Sequence, residues 1–491
     1  MAEERLGEIR QARLAKRQTL LNAGRSPYPA EARRTHTAAE LLEQFDTLQA
    51  GSFPVTLAGR VAALRRHGGV AFLDLVDASG SVQLQITKDK APSEVFERLE
   101  WLDAGDFVQA VGMPIVTERG VNTLQVNEFH LLSKSIRPLP GAWHGLKDRE
   151  TRYRQREVDL LLNEEARLPL LLRGQVLDWL RHELMNRGFQ EVETPILQPL
   201  AGGAVAEPFV TRHNALDTDL YLRIAPELYL KRLLVGGFEK VFEIGRCFRN
   251  EGMDRDHSPE FSTCELYWAY ADYEDLMDMT EDMLSGMVRN LTGSEEIKMG
   301  DETLFFVKPW RRVSYKDALQ EAIGVDVLQK KDPAAYVTIL ENKGLEVPQV
   351  QTYSKLVDEL YKELVRPGLV QPTMVFDLPV EMAPLAKRSL PNPAVAETFQ
   401  LLVGGKELIK AYSELNDPVE QRERFEAQQE DRKKGDKEQT EIDEEYLRAM
   451  EYGMPPAAGW GLGIDRLVAI LSGASSVRDT IAFPLLRPEK K

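Results

Sequence analysis

The sequence predicts an α+β protein, with a small N-terminal β-barrel followed by a larger domain that mixes strands and helices. From about Val55 to Lys134, short segments alternate apolar and polar residues and are separated by Gly, Asp and Asn turns. A period of two, repeated over several short segments, is typical of a small closed barrel. After the Pro/Gly-rich segment 137–143, "RGQVLDWLRHELMNRGF" changes to helical spacing, with Val176, Leu180 and Met185 on one apolar face.

These changes of pattern divide the chain into three parts. Residues 1–50 are predicted to form an N-terminal helical extension, 51–140 the barrel and 141–491 the larger domain, with an insertion at about 310–370. A chain of 491 residues is too long for one ordinary domain, which agrees with this division. Near the C-terminus, "GWGLGIDRLVAILSG" predicts a glycine-rich turn before a short apolar helix.

Composition excludes several classes of protein. Apolar residues make up 43% and charged residues 29%, and no uninterrupted apolar run is long enough to span a bilayer. The N-terminus carries charges throughout, unlike a signal peptide. The only two cysteines, Cys247 and Cys264, are too few for a disulfide framework or a cysteine zinc site. We therefore expect a cytoplasmic protein with no membrane partner.

The net charge of −16 is unevenly distributed. Residues 1–70 contain eleven Lys and Arg against seven Asp and Glu, so the N-terminal end is basic in an acidic protein. A basic end is typical of a surface that binds a phosphate backbone, but a solvated helix face has the same composition. Charge alone leaves both interpretations open.

The segment 241–261, "VFEIGRCFRNEGMDRDHSPEF", predicts two strands around a charged loop. Arg249 and Glu251 occupy alternating positions, so both side chains would lie on one face. Arg249 would then clamp a phosphate while Glu251 positions an amino group or cation, although an Arg–Glu pair on a solvent-facing hairpin also fits. Three further residues form either a metal cluster or an exposed polar turn, and the turn is favoured: Asp254, Asp256 and His257.

Carboxylates within apolar or aromatic runs form a further group. Each is found where a buried charge needs a partner, so separately each favours a salt bridge. Together they would form a pocket for a small cation. The residues are Glu227 in "APELYLKRLL", Glu265 and Tyr267 in "CELYWAY", and Tyr412 and Glu414 in "KAYSELNDP". No P-loop motif is present, so a nucleotide would be held in another way.

In this order, the motifs resemble those of the class II aminoacyl-tRNA synthetases, and closely those of the lysyl-tRNA synthetases. "GFQEVETPILQPLAGGA" is similar to the first motif of the family, with Pro195 at its dimer interface. Segment 241–261 is similar to the second motif, and "GLGIDR" to the third. The resemblance covers nearly the whole chain. It implies an OB-fold anticodon-binding barrel and a catalytic domain with a mixed, mostly antiparallel sheet flanked by helices.

The resemblance also implies functional roles for individual residues. Catalytic roles fall on Arg249, Glu251 and Arg466. The implied ATP-binding residues are Arg249, Glu251, His257, Phe261, Glu407 and Arg466, with adenine between Phe261 and Arg466. The implied lysine-binding residues are Gly203, Glu227, Arg249, Glu265, Tyr267, Tyr412 and Glu414. Mg²⁺ would be held by Glu407 and Gln400, and anticodon bases by Phe72, Gln83 and Glu128. For Phe72, the sequence pattern by itself favours the barrel core.

The implied activity is ATP-dependent formation of lysyl-adenylate and transfer of the lysyl group to the 3′ end of tRNA(Lys), by a homodimer.

Two positions depart from the family. Gln400 stands where a metal-binding glutamate is usual, and Lys410 where a substrate-contacting asparagine is usual. Two alternatives therefore remain: a paralogue that acts on a non-tRNA acceptor, and a non-catalytic nucleic-acid-binding regulatory protein.

Overall fold

The computed structural model describes residues 2–140, 146–204, 206–433 and 442–489. It divides into two units, Met1–Asn163 and Glu164–Lys491. Within the described ranges, no helix combines the length and the apolar character that crossing a membrane requires. The predicted linker 137–143 extends into residues 141–145, which lie outside the described residues.

A closed five-stranded barrel forms the centre of the first unit, as predicted. Its strands follow the spatial order β1-β2-β3-β5-β4, and all neighbours are antiparallel except β3 and β5. The strands are β1 (Val55–His67), β2 (Val70–Asp77), β3 (Gly80–Thr87), β4 (Phe107–Val116) and β5 (Asn122–Ser133). The helices are α1 (Ala2–Asn22), α2 (Ala38–Glu43), α3 (Phe45–Ala50), α4 (Ser93–Glu97), α5 (Arg149–Arg154) and α6 (Arg156–Leu162).

Two basic residues of α1 attach this helix to the barrel. Arg13 is 7% exposed and donates hydrogen bonds to the carbonyl oxygens of Ala104 at 3.0 Å and Ser135 at 3.1 Å. Lys16 pairs with Asp103 at 2.8 Å. Part of the basic character of the N-terminal end therefore serves structure, while exposed residues such as Arg5 and Arg10 keep their charge in solvent.

An eight-stranded sheet forms the centre of the second unit, in the order β14-β15-β16-β17-β18-β11-β10-β6. Only the pairs β14–β15 and β10–β6 are parallel, so the sheet is mixed and mostly antiparallel, as predicted. Its strands are β6 (Gln190–Glu191), β10 (Lys240–Phe248), β11 (Glu260–Ala269), β14 (Arg311–Ser314), β15 (Thr373–Phe376), β16 (Thr398–Val403), β17 (Lys406–Ser413) and β18 (Ala457–Gly463). Smaller sheets contain β7 (Leu197–Gln198), β8 (Val210–His213), β9 (Thr218–Leu222), β12 (Glu296–Met299) and β13 (Glu302–Phe305).

Helices flank this sheet on both faces. Those that enclose the main core on one face are α7 (Leu168–Asn186), α9 (Tyr273–Thr292) and α15 (Ile464–Ser472). On the other face, α8 (Glu227–Val235) packs against Val241 and Tyr267, and α14 (Glu444–Glu451) packs against α8. The remaining helices are α10 (Tyr315–Ile323), α11 (Pro333–Asn342), α12 (Tyr353–Leu360) and α13 (Pro418–Lys433). Val176 and Leu180 of α7 are fully buried, but Met185 is 59% exposed, so its predicted place on the buried face is wrong. Between β14 and β15, helices α10 to α12 enclose a separate apolar cluster, within the segment where the insertion is predicted.

Two predictions of local structure are corrected. "GWGLG" is not a turn, because it forms most of β18 and pairs with β11 on one side and β17 on the other. Arg249 and Glu251 are not strand residues, since β10 ends at Phe248. The two strands predicted around the charged loop are confirmed as the antiparallel pair β10 and β11.

A buried ion pair supports the sheet from the side of β10. Arg223 and Glu243 are 1% and 4% exposed and form a salt bridge. Arg223 Nε also donates to the carbonyl oxygen of Arg246 at 2.8 Å, and Thr194 Oγ1 donates to Glu243 at 2.7 Å. Gly245 lies against the guanidinium, so that a Cβ atom there would overlap with Arg223 Nη2. A side chain at position 245 would therefore displace a buried, paired charge.

We expect Gly245→Ala to lower the free energy of unfolding by about 2 kcal/mol or more, because it would displace a buried guanidinium from its contacts with Glu243, Thr194 and Arg246. Gly286→Ala is the matched control. Gly286 is in α9, and its Cβ would lie 3.7 Å from Cζ2 of Trp179 in α7, an ordinary van der Waals contact. We expect that variant to remain within about 1 kcal/mol of the parent. Urea midpoints compare the two; an unchanged midpoint for Gly245→Ala would show that Arg223 can move.

Candidate active site

A cavity of about 420 Å³ lies on the face of the eight-stranded sheet opposite to the main core. Most of the residues predicted for ATP and lysine contribute to its wall: Gly203, Glu227, Arg249, Glu251, His257, Phe261, Glu265, Tyr267, Glu407, Tyr412 and Arg466. Lys410 also lines it. Glu414 and Gln400 do not, because both are buried beside it, at 1% and 6% exposure. The structure thus brings together residues separated by more than 260 positions in the chain.

The glycines of β18 form the floor of this cavity. Gly461 lies between Lys410 of β17 and Glu265 of β11, and Gly459 lies between Tyr412 and Tyr267 of the same strands. Directly opposite residues on neighbouring strands project from the same face. Because glycine carries no side chain, the two rows leave a trench with charged and aromatic walls.

Trp460 and Leu462, which alternate with the glycines of β18, point away from the trench. Trp460 and Leu462 are 1% and 0% exposed and pack into the main core, where Trp460 Nε1 donates to Thr280 Oγ1 at 2.9 Å. A Cβ atom at Gly459 would overlap with Glu414 Oε1 and lie 2.6 Å from Tyr267 Cε1. The alternation of glycine with large apolar residues therefore serves both faces of one strand.

A cluster of carboxylates closes one end of the cavity. Glu227, at the first position of α8, accepts hydrogen bonds from Lys231 Nζ at 2.6 Å and from the Tyr412 hydroxyl at 2.6 Å. Lys231 also forms an ion pair with Glu414. Gly203 packs directly against Glu227, since a Cβ atom there would lie 2.9 Å from Glu227 Cβ. The predicted pocket is therefore formed, and it contains an internal ammonium group.

Glu265 is the carboxyl group that faces the centre of the trench. Burial and the nearby Glu227 carboxylate raise its pKa to about 8, although Arg249 and Arg223 act in the opposite direction. Tyr267 donates a hydrogen bond to Glu265 Oε2 at 3.4 Å. Near neutral pH, Glu265 is therefore mostly protonated, and a cation bound beside it would favour loss of that proton.

Arg249 contributes a positive charge to the same cavity. Its guanidinium carbon lies 5.1 Å from the centroid of the Phe261 ring, and its backbone N–H donates to the carbonyl oxygen of Pro259 at 2.8 Å. Its Nε is buried without a hydrogen-bond partner. A buried donor without a partner is costly, so this group is suited to an anionic ligand.

Arg466 is fixed in the first turn of α15 by its neighbours. It donates to the carbonyl oxygen of Glu407 at 2.7 Å, and its Nη2 lies 3.1 Å from His257 Nε2. The preceding Asp465 forms a salt bridge with Arg173 and accepts from the backbone N–H of Ser262 at 2.9 Å. Burial lowers the pKa of Arg466, while the Glu407 carboxylate opposes that effect. These contacts connect α15 to α7 and β11, so that Arg466 has one orientation.

The charged loop between β10 and β11 is a polar turn. His257 Nδ1 lies 2.9 Å from Asp254 Oδ2, and Asp254 Oδ1 accepts from the backbone N–H of Asp256 at 2.6 Å. Asp256 also pairs with Lys406. The part of the chain that the structure describes contains no group of three or more His, Cys, Asp or Glu side chains that would hold a metal ion. The metal-cluster interpretation of this loop is therefore wrong.

Oxygen donors for a hard cation are nevertheless present beside the cavity. Gln400 of β16 lies opposite Lys410, so its side chain projects from the cavity face, and its Oε1 is buried without a partner. Glu407 provides a carboxylate in the cavity wall. An unpartnered amide oxygen and a carboxylate are donors that suit Mg²⁺.

On the barrel, Phe72 lies outside the core, contrary to what its sequence pattern favours. The neighbours Ala71 and Leu73 are 0% and 1% exposed, whereas the half-buried Phe72 projects from the other face of β2. Gln83 projects from the same outer face, because it pairs with Asp74 and accepts a hydrogen bond from Thr123 Oγ1 at 3.1 Å. Glu128 is exposed and contacts His130 at 2.7 Å.

Sequence analysis did not identify several residues that fix this site. Lys231, Arg223 with Glu243, and Arg173 with Asp465 are buried or largely buried ion-pair partners of the cavity wall. A signal existed for Lys231, because Glu227 and Lys231 are four residues apart, which is the spacing of neighbours on one helix face. No comparable signal connects Arg173 to Asp465, which are 292 positions apart.

Comparison with known proteins assigns both parts of the chain. A family model described as tRNA synthetases class II (D, K and N) matches residues 148–487, and one described as an OB-fold nucleic acid binding domain matches residues 55–137. A lysine–tRNA ligase of Carboxydothermus hydrogenoformans is 46% identical over 488 residues, covering 99% of this chain and 100% of the relative. Lysine–tRNA ligases of Syntrophomonas wolfei and Moorella thermoacetica are each 45% identical, over 99% and 100% of this chain and 98% and 100% of the relative. The resemblance inferred from the motifs is confirmed.

The raised pKa of Glu265 generates a prediction for L-lysine binding. Below a pH of about 8, Glu265 is mostly protonated and offers no charge to an ammonium group, whereas the lysine side chain stays charged, with a pKa of about 10.4. We expect the affinity for L-lysine to increase roughly tenfold from pH 6.5 to 8.5. Calorimetric titrations across this range measure it.

The matched variant for this measurement is Glu265→Gln, which cannot ionise. We expect its affinity for L-lysine to be weak and nearly independent of pH over the same range. A parent protein whose affinity does not change between pH 6.5 and 8.5 would contradict the assignment of Glu265 as the titrating group.

Proposed function

This chain belongs to the class II tRNA synthetases, within the lysine–tRNA ligases, and we propose that its cavity activates L-lysine with ATP. The products are lysyl-adenylate and pyrophosphate, and the lysyl group is then transferred to the 3′ end of tRNA(Lys). This proposal rests on one observation, which is that carboxyl groups and an unpartnered arginine donor line the same trench. Carboxylates gather at one end, around Glu227 and Glu265, and the unpartnered Nε of Arg249 lies in the same cavity.

The carboxylates of the trench offer a partner to each of the two ammonium groups of the substrate. Glu227, with Gly203 packed against it, is assigned to the α-amino group, and Glu414 with Tyr267 to the ε-ammonium. Tyr412 supports Glu227 through its hydroxyl. An ammonium group buried without a partner would be costly, and carboxylates left without an ammonium are equally unfavourable, so neutral analogues are rejected.

For adenylation, an oxygen of the lysine carboxylate attacks the α-phosphorus of ATP in line. The new P–O bond forms as the bond to the β-phosphate oxygen breaks, and pyrophosphate leaves with that electron pair. Arg249 donates N–H groups to the α-phosphate and the lysine carboxylate, and Arg466, fixed by Glu407 and His257, faces the adenine with Phe261. Glu251 is assigned to ATP. Positioned donors of this kind stabilise charge that develops in the transition state.

Mg²⁺ would be held by Glu407 and Gln400. When bound, it neutralises charge on the phosphates and withdraws electron density from the reacting phosphorus. Because an amide carries no charge, Gln400 is a weaker ligand than the glutamate usual at this position. We assign Lys410 a partly compensating role, since its ammonium lines the same cavity and is suited to a phosphate or the substrate carboxylate.

Recognition of tRNA is assigned to the barrel and the basic N-terminal end. Phe72 offers an aromatic surface for stacking, and Gln83 and Glu128 offer polar groups for base edges, which is how OB-folds bind single strands.

We also propose a homodimer. Exposed apolar residues are frequent around the first motif, where they support an interface: Leu168, Leu171, Met185, Ile196, Leu197 and Val210. The cytoplasmic location stays a prediction.

The two alternative functions have less support. A paralogue acting on a non-tRNA acceptor would not need the anticodon-binding barrel, which this chain has. A non-catalytic regulatory protein would not need Arg249, Glu251 and Arg466 around one cavity.

Exchange of pyrophosphate into ATP tests the proposed function. We expect exchange that depends on L-lysine and is not supported by aspartate or asparagine. Arg249→Ala should lower the rate on the order of a hundredfold, as for removal of one preorganised donor. Arg246→Ala is the matched control, because this half-exposed residue pairs with Glu260 at 3.6 Å and does not line the cavity.

Two results would contradict this assignment. Near-normal exchange in Arg249→Ala would reduce Arg249 to a structural role in the loop. Exchange stimulated by aspartate in the parent protein would remove the proposed specificity altogether.

A magnesium titration of the same exchange tests the two departures from the family. Gln400→Glu adds a charged ligand and should lower the Mg²⁺ concentration required for half-maximal exchange. Lys410→Asn removes a positive charge near the phosphates and should raise it. Three superimposable curves for the parent and both variants would show that neither residue acts on the metal site.

A further inference from the structure

Lys231 is a fully buried lysine within the carboxylate cluster. It lies one turn after Glu227 on α8, and its Nζ is 2.6 Å from Glu227 Oε1. It also pairs with Glu414 and lies 5.5 Å from the centroid of the Tyr412 ring. A buried ammonium is tolerated only with such partners, so its position is determined by the two carboxylates, and theirs by it.

Lys231 is a structural part of the cluster and not an occupant of the cavity. Its side chain has no exposure, and the residues between it and the trench, Glu227 and Tyr412, line the wall. Glu414 is buried beside the trench at Gly459, where the absence of a side chain leaves room for its Oε1 next to the backbone. Both oxygens of Glu414 are buried without a well-aligned hydrogen bond, so the ion pair with Lys231 leaves capacity for a second ammonium.

The charges of the cluster match those of one substrate molecule. Glu227, Glu265 and Glu414 contribute three negative charges when ionised, and Lys231 contributes one positive charge. The remaining two negative charges equal the two ammonium groups of L-lysine, while Arg249 is available for its carboxylate.

We propose that Lys231 is a positioning residue that sets the charge and geometry of the lysine pocket. It holds Glu227 and Glu414 in place and leaves the cluster with one negative charge for each ammonium group of the substrate. This inference rests on the proposed use of the cavity for L-lysine.

Without this ammonium, the cluster would take up protons. Burial raises the pKa of Glu414, and Lys231 is the strongest influence in the opposite direction. Lys231 itself has a raised pKa: burial acts to lower it, but Glu227 and Glu414 outweigh that effect. Glu265, Tyr267, Tyr412 and the buried Tyr446 of α14 also face Lys231 and its two carboxylates, and none of them is a cation, while Arg249 and Arg223 act on Glu265.

The test is Lys231→Met, which removes the charge and keeps the length of the side chain. At pH 7 we expect the Kd for L-lysine to increase about tenfold or more, because at least one carboxyl must first lose a proton. The defect should decrease toward pH 9 as the carboxyl groups ionise. The KM for ATP should stay within about twofold, because the change affects only the lysine pocket.

Two variants serve as controls. Lys240→Met makes the same chemical change on β10, where Nζ donates to the carbonyl oxygen of Arg187 at 3.0 Å, away from the cluster. We expect it to leave lysine binding unchanged. Lys231→Arg keeps the charge and should keep the parent's dependence on pH. If Lys231→Met does not fold, Lys231→Gln, which hydrogen-bonds the carboxylates without a charge, takes its place with the same expected result.

Two results for the affinity of the variants for L-lysine would overturn the proposal. Lysine binding that is as tight as in the parent, or tighter, in the neutral variant would overturn the proposal, since Lys231 would then only repel the substrate. A defect equal at pH 7 and pH 9 would overturn it as well, because the loss would be steric. Failure of the proposed function is distinct, because the parent itself would then show no exchange with L-lysine.

Discussion

Buried charge is the constraint on which the second unit depends. One face of its sheet carries Glu243, Glu265 and, just beyond β17, Glu414, and each requires a partner that the fold must supply. Arg223 neutralises Glu243, whereas the single ammonium of Lys231 is shared by Glu227 and Glu414. Glu265 has no cationic ion-pair partner and keeps its proton instead, with a pKa of about 8. The carboxyl groups of the pocket thus outnumber its one internal ammonium, which leaves negative charge for a cationic ligand.

Strand β18 allows this charged face to exist beside a dry core. Its glycines face the trench, where Lys410 and Tyr412 stand on one side and Glu265 and Tyr267 on the other. Trp460 and Leu462 of the same strand lie in the core. Because side chains alternate across a strand, one short sequence provides both surfaces, and a substitution at either set disturbs only one of them.

The residues assigned to the amino acid and those assigned to the nucleotide lie on different kinds of structural element. The carboxylates and tyrosines for the amino acid are held on strands and on the first turn of α8, where ion pairs leave little freedom. Arg249, Glu251 and His257 lie on the loop between β10 and β11, which faces the part of the cavity assigned to the nucleotide. Arg466 joins the two regions, since Asp465 and Arg173 connect its helix to β11 and α7. The contacts proposed for lysine therefore lie on strands and a helix, and those proposed for the phosphates lie on a loop.

The barrel, the β10–β11 hairpin and the family could be predicted from the sequence alone, because alternation and ordered motifs are local properties. The sequence also identified the carboxylates, since acidic residues in apolar runs are visible without a structure. The fold was needed to establish that "GWGLG" is a strand, that Phe72 lies outside the barrel core and that Lys231 pairs with both Glu227 and Glu414. Each of these depends on which chain segments become neighbours. The role of each feature depends on partners that are distant in the sequence. Periodicity is a local property and does not identify those partners.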